Sequence, residues 1–239
     1  MRGERVALVT GSARGIGRAV LLGLAGCGFA VAVHYRSSEA EAERTRTEAE
    51  ALGVRAIKLR ADVTELEQAR CLVAQVVGQL GGLHVLVNNV GDYLKKPVEE
   101  LTAREWQSLL DSNLNAPFYV TQAALPHLRA AGWGRVVNIG YAGAQNLVAR
   151  SSIVPYAIAK TGLILYSKAL AERVAPWGVT VNVVAPGVAE NSVSQPLEEI
   201  PMGRTARLDE LARAVLFFVE EGSAYLTGQV LEVAGGWNL

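Results

Sequence analysis

The run Thr10-Gly-Ser-Ala-Arg-Gly-Ile-Gly17 decides the fold. It follows a short apolar stretch, Arg5–Thr10, and opens a stretch with helical spacing of apolar residues, Ile16–Cys27. Glycines at 11, 15 and 17 let the backbone turn tightly and come close to a pyrophosphate. The helix that follows then offers free N–H groups and the positive end of its dipole to the same phosphates. A glycine loop alone is a weak signal, and the strand–loop–helix context is what makes this one specific.

Outward from that loop the chain alternates. Phe29–Tyr35, Val54–Arg60, Leu83–Val87, Arg135–Ile139, Val179–Val184 and Gln229–Val233 read as further strands. Ser38–Leu52 reads as a polar helix, and helices near Pro155–Ala175 and Leu208–Glu220 fill later gaps. Thr64-Glu-Leu-Glu67 has the form of a capping box opening a helix to about Leu80. Thr102-Ala-Arg-Glu105 is a second, opening a long helix to about Ala130 that Pro117 and Pro126 should bend or interrupt. Seven strands alternating with six helices predict a doubly wound α/β sheet, helices on both faces, in one domain spanning residues 1–239. No linker, repeat or low-complexity segment breaks it. The irregular 188–206 stretch is too short for a domain and suits a lid over a substrate.

With 23 basic and 23 acidic residues the formal net charge is zero, which argues against a nucleic-acid or anionic-membrane partner. The longest uncharged run, between Arg18 and His34, is too short and too glycine-broken to span a membrane. Cys27 and Cys71 form no CxxC pair and read as small core residues. His34, His84 and His127 lack metal-ligand spacing, so no catalytic metal is expected. The opening Met1-Arg-Gly-Glu-Arg shows no leader, and the cytoplasm is the expected location. Arginine's excess over lysine hints at a GC-rich or thermophilic source.

Cofactor preference can be read from charge. A dinucleotide site that grips the ribose 2′-OH wants an acid at the end of the second strand. This chain has His34-Tyr-Arg-Ser-Ser38 there. Arg36, with Arg14 approaching from the glycine loop, is placed to pair with a 2′-phosphate, which points to NADP(H).

The spacing Gly11-x-x-x-Gly15-x-Gly17 is wider than GxGxxG, and here the chain resembles the classical short-chain dehydrogenase/reductase family. The resemblance runs nearly its full length. It takes in Asn88-Asn-Val-Gly91, Asn113 in Asp-Ser-Asn-Leu, Tyr156-Ala-Ile-Ala-Lys160 and Pro186-Gly187. It implies a single-domain Rossmann fold, a seven-stranded parallel sheet with three helices on each face. It also implies a cofactor site of Gly11, Ser12, Arg14, Gly15, Ile16, Gly17, Tyr35, Arg36, Ser37, Asp62, Val63, Asn89, Gly91, Tyr156, Lys160, Pro186, Gly187 and Val188. Asp62-Val63 corresponds to the family's adenine-contacting pair.

Tyr156 and Lys160, at i and i+4, project from one helical face, and Pro155 suits that helix's first turn. A lysine ammonium nearby should lower the pKa of a phenol that is otherwise a poor acid or base at neutral pH. The pair could then protonate a developing alkoxide. The resemblance gives Lys160 a hold on the nicotinamide ribose, and Asn113 a support for the proton-relay water beside it. The family's usual serine after the fifth strand is missing. Asn138-Ile-Gly-Tyr-Ala142 puts Tyr141 in its place, with Ser151 or Ser152 as possible substitutes.

Family topology places the substrate against Tyr93, Leu94, Tyr141, Gln145, Asn146 and the 188–195 loop with Asn191 and Ser192. The late segments Val179–Gly187 and Tyr225–Gln229 look most like 3-oxoacyl-[acyl-carrier-protein] reductases. The substrate would then be a small-molecule or carrier-protein-bound carbonyl, with Arg129 and Arg173 as a candidate basic rim beside Glu172. Val33–Ser38 and the missing serine are also like pteridine or dihydrofolate reductases, although those usually carry Asp where this chain has Tyr141. A small-alcohol dehydrogenase and a non-catalytic NADP-binding regulator are further alternatives. Trp133 and Trp237 read as packing or subunit-contact residues, and the family habit implies a homodimer or homotetramer.

Overall fold

The strands are β1 (Val6–Val9), β2 (Ala30–Tyr35), β3 (Ala56–Arg60), β4 (Val85–Asn88), β5 (Gly134–Ile139), β6 (Val179–Pro186) and β7 (Val230–Val233). They pair in the order β3-β2-β1-β4-β5-β6-β7, every neighbouring pair parallel. The computed structural model behind this description covers residues 4–238. The reading of residues 1–3 as leader-free lies outside the described residues.

Both faces of the sheet are covered, so both sets of alternating strand residues are apolar. Val6 and Leu8 of β1 point into one core, packed by α3 (Leu66–Leu80), α5 (Ala116–Ala131) and α6 (Val154–Val174). Ala7 and Val9 point into the other, under α1 (Gly15–Gly26), α2 (Glu39–Ala51) and α7 (Leu208–Val219). A further helix, α4 (Ala103–Leu110), runs into α5 through a π-helical turn at Asp111–Asn115, making one rod. The result is the Rossmann architecture the alternation predicts, with three helical units on each face. The order in which strands are added switches sides between β1 and β4, and a cleft opens there at the carboxyl ends of the strands.

Several local expectations need correction. The Thr102 capping box forms, with Glu105 N donating to Thr102 Oγ1 at 3.2 Å and Thr102 N to Glu105 Oε2 at 2.8 Å. The Thr64 box does not. Its hydroxyl donates instead to Asp62 Oδ1 at 2.6 Å, and α3 starts at Leu66 without a side-chain cap. Pro126 does not break α5: it and Gln122 lie on the exposed face, so the carbonyl that the ring frees is open to water. The disturbance comes earlier, at the π turn, and Pro117 follows it in the first turn of α5. Cys27 and Cys71 are exposed rather than core: Cys27 ends α1, and Cys71 sits on the outer face of α3. Among the described residues no helix is long and apolar enough to cross a membrane, and no cluster of His, Cys, Asp and Glu could hold a metal ion.

Candidate active site

The glycine loop is fixed from three sides. Gly11 and Gly15 hold left-handed φ values of +64° and +59°, where a side chain would strain the backbone. A Cβ at Gly17 would lie 2.5 Å from both Gly11 O and Asn89 Nδ2, so α1 can pack this close only with glycine. Just past the end of β4, Asn89 donates through Nδ2 to Thr10 O at 3.0 Å and Gly11 O at 3.2 Å, and through its backbone N to Thr10 Oγ1 at 2.9 Å. From β2, His34 Nδ1 accepts from Gly11 N at 2.9 Å, while Nε2 pairs with Ala61 O at 3.1 Å. Ser12 Oγ accepts from His34 N at 3.1 Å.

Burial holds the His34 pKa down, to about 4, against weaker opposing effects of the Ala61 carbonyl and Asp62. The ring is therefore neutral, with its proton assigned to Nε2 by the bonds it makes. Set aside in the sequence as a non-metal histidine, it ties the phosphate loop to two strands. Its one signal was a polar ring at the end of an apolar run.

At the far end of this cradle Tyr35 is buried and Arg14, Arg36 and Ser37 are exposed. Arg36 Nη1 stands 3.7 Å from Asp62 Oδ2 across the ends of β2 and β3. Asp62 also accepts from Thr64 N, and Val63 beside it is buried.

The π turn presents Asn113 inward. Its Nδ2 donates to Asp92 O at 2.8 Å and Leu109 O at 3.0 Å, and its buried Oδ1 has no partner. A Cβ at Gly91 would lie 2.4 Å from that Oδ1 and 3.4 Å from Lys160 Nζ, which puts the two groups together. Lys160 is buried and donates to Ile139 O at 2.7 Å, and burial lowers its pKa to about 8. A chain of buried polar groups lies below: Asn88 Nδ2 donates to Asn138 Oδ1 at 2.8 Å, and Asn138 Nδ2 to Ser167 Oγ at 2.8 Å.

Tyr156 is gripped edge-on by Tyr93 and Tyr141, with ring centroids at 5.2 and 5.4 Å. Lys160 Nζ is 5.7 Å from the Tyr156 ring centroid. The phenol is not brought down by the lysine, as the sequence suggested. Burial, then Tyr141 and Tyr93, push it up, and the lysine's proton is directed at a carbonyl instead. Burial also raises the Tyr141 phenol.

A cavity of about 760 Å³ joins these parts, running from Ile16, Asn89 and Gly91 past Asn113, Tyr156 and Lys160 to Pro186, Gly187 and Val188. Tyr93, Tyr141, Ser151, Ser152 and Asn191 also line it. Asn191 leans back over the phosphate loop: a Cβ at Gly15 would meet its Nδ2 at 2.8 Å. Gln145 does not belong to the cavity. It is exposed and accepts from Lys168 Nζ at 3.4 Å, while Asn146 donates to Asn238 O at 2.9 Å. Arg129 and Arg173 do not reach the rim either. They sit in the last turns of α5 and α6, away from the cavity, with Arg129 stacked 4.7 Å over Trp177. The sequence missed Arg150, Glu199 and Trp237 as lining residues. Trp237 stands edge-on to Tyr141 at 6.0 Å, brought there by a tail with left-handed φ at Gly235 and Gly236.

The chain is similar to known proteins over almost all its length. The profile of a family described as Enoyl-(Acyl carrier protein) reductase matches residues 11–238. A 3-oxoacyl-[acyl-carrier-protein] reductase, FabG, of Staphylococcus aureus is 33% identical over 245 residues, 99% of each chain. The crystal structure of acetoin dehydrogenase YohF from Salmonella typhimurium superposes with a TM-score of 0.91 at 31% identity, covering 98% of this chain and 96% of that one. That of a blue fluorescent protein from a metagenomic library, in complex with NADPH, gives 0.93 at 33% identity and 98% of each.

Proposed function

Because the chain belongs to the short-chain dehydrogenase/reductase family of oxidoreductases, we propose that it is an NADPH-dependent reductase converting a carbonyl to an alcohol. One observation carries the reading. The unpartnered Asn113 Oδ1, the buried Lys160 ammonium and the Tyr156 phenol meet in a cavity that begins at Ile16 and Asn89, beside the glycine loop.

The residues present fit a nicotinamide dinucleotide. The loop N–H groups and the start of α1 suit its pyrophosphate, Arg36 and Arg14 its 2′-phosphate, Asp62 and Val63 its adenine, and Lys160 its ribose. When bound, the reduced nicotinamide supplies the hydride. Tyr156, kept protonated by its surroundings, donates the proton to the carbonyl oxygen as negative charge develops there. Tyr141 offers that oxygen a second hydroxyl where the family usually has serine. Lys160 stabilises the phenolate left behind and returns a proton to Tyr156, with Asn113 Oδ1 as a hydrogen-bond acceptor beside it, and a proton from solvent then restores the ammonium. Asn191 helps to hold the cofactor end, and residues 188–206 act as the lid.

NADPH consumption tests this on a panel of an acetoacetyl thioester, dihydrobiopterin and simple diketones. Turnover should fall by more than 100-fold in Tyr156→Phe, and Arg36→Asp should reverse a preference for NADPH over NADH. Equal kcat/KM for the two cofactors in the wild type sinks the NADP assignment. Tight NADPH binding with no turnover on any carbonyl favours a regulator.

A 3-oxoacyl thioester, small or carrier-bound, is the favoured substrate class, supported by relatives such as the S. aureus reductase. A pteridine is the second reading, supported by the aromatic side chains of Tyr93, Tyr141 and Trp237 that line the cavity. We further propose a cytoplasmic homodimer or homotetramer joined through α5 and α6. Phe118, Ile158 and Leu165 there are 42%, 47% and 71% exposed.

A further inference from the structure

Arg150 lines the cavity that holds Tyr156, and among the described residues an amide and a ring hold it there, not an acid. Its Nη2 donates to Asn238 Oδ1 at 2.5 Å, and its guanidinium lies 5.7 Å from the centre of the Trp237 ring. Both anchors come from the end of the chain, 88 residues away in sequence for Asn238. The tail is itself fastened: Asn238 O accepts from Asn146 Nδ2, Met202 N donates to Gly235 O at 3.1 Å, and Trp237 Nε1 donates to Glu199 Oε2 at 3.3 Å. Glu199, which also lines the cavity, is thus bound at the indole nitrogen and forms no ion pair with Arg150. The remaining N–H donors of the guanidinium have no described partner.

Arg150 also acts at a distance on the two rings flanking Tyr156. Burial raises the phenols of Tyr93 and Tyr141, and the charge of Arg150 works against that rise at both. Lys95, exposed at the mouth of the same cavity, adds a second cation. A cation fixed by an amide and a ring, with donors free and a cavity before it, is arranged for an anion. An arginine left merely in solvent would need no such support from the far end of the chain.

We infer that Arg150 is a specificity residue that binds an anionic group carried by the carbonyl substrate, several bonds from the reacting carbon. This rests on the reductase reading above and narrows its substrate class. The anion is either a carboxylate on a small, ring-bearing ketone or a phosphate on the arm of a thioester.

Paired substrates test it in the NADPH complex: 4-acetylbenzoate against its methyl ester, and acetoacetyl-CoA against acetoacetyl-N-acetylcysteamine, which has no phosphate. The wild type should favour the charged member of at least one pair by more than 10-fold in kcat/KM, mainly through KM. Arg150→Gln should remove that preference, Arg150→Lys should restore part of it, and Asn238→Ala should weaken it. Which pair responds identifies the source of the anion. Calorimetric binding of the same compounds gives a readout independent of turnover. If charged members bind more tightly in the wild type and not in Arg150→Gln, yet nothing is reduced, the anion site stands and the reductase reading fails. If charged and neutral members bind and react equally in the wild type, or if Arg150→Gln keeps the full preference, the inference is overturned.

Discussion

Lys160 is a charge buried with a carbonyl, not a carboxylate, for a partner. Burial lowers its pKa from 10.5 to about 8, a difference worth roughly 3 kcal/mol against the charged form. The unfolded chain holds that proton more tightly than the fold does. The penalty is therefore full below pH 8 and fades as pH rises from about 8 to about 10.5. Lys160→Met should abolish reduction while raising stability by ~1–3 kcal/mol at pH 7, read by urea unfolding. A destabilised variant would mean that the bond to Ile139 outweighs the buried charge. In the active protein, kcat/KM for reduction should fall as pH rises through about 8, because Lys160 loses its charge there. His34 has the opposite acid–base consequence. Its folded pKa of about 4 lies below the ordinary 6.5, so the neutral ring's contribution is complete above pH 6.5 and is lost as pH falls towards 4. The loss should reach about 3 kcal/mol. His34→Gln, whose amide can accept from Gly11 and donate to Ala61, should flatten that acid slope. Equal slopes in the two proteins would clear His34 of responsibility.

At the scale of elements, the rod from Ala103 to Ala131 shows what local sequence can and cannot announce. Its start was legible, because the Thr102 hydroxyl and the Glu105 carboxylate satisfy each other's backbone groups. Thr102→Ala should cost about 1 kcal/mol. The same spelling at Thr64 failed because Asp62, two residues earlier, offers its hydroxyl a carboxylate. The π turn at 111–115 was not legible: Asp-Ser-Asn-Leu-Asn carries no period of its own, and the turn is fixed by what Asn113 meets across the cleft. That dependence gives a paired prediction. Gly91→Ala would drive a Cβ into Asn113 Oδ1, so kcat/KM should fall more than 10-fold even though a single methyl is added. Gly26→Ala, at the end of α1 with nothing within 4 Å of the new Cβ, should leave activity alone. It should change stability by no more than ~1 kcal/mol. If both variants behave alike, the Gly91–Asn113 contact is not what shapes the site.

Across the whole molecule, the fold and the glycine-loop end of the cleft were readable because each reports on its own neighbourhood. A strand, a glycine loop and a helical Tyr-x-x-x-Lys depend on residues within a few positions of each other. The substrate side was readable only in part, because it is closed by contacts between distant segments. Arg150 and Asn146 meet Asn238, and Tyr141 meets Trp237, so no window of sequence contains that wall. Zero net charge likewise describes only the sum. Locally, Arg14 sits in the glycine loop and Arg36 just past the end of β2, while Arg150 and Lys95 line the cavity. The outer surface gives the last prediction. Phe118 of α5 packs edge-on against Tyr119 and Tyr166, at 5.9 and 5.7 Å, and still leaves an apolar face open beside Leu165. Covering that face with a second copy would remove it from water, a gain of roughly 25 cal/mol per Å² buried. In sedimentation velocity the wild type should run as a dimer or tetramer, with a Tm that rises with protein concentration. Leu165→Glu combined with Phe118→Lys should shift it to a monomer whose Tm no longer depends on concentration. A wild type that sediments as a monomer at micromolar concentration removes the interface from α5 and α6.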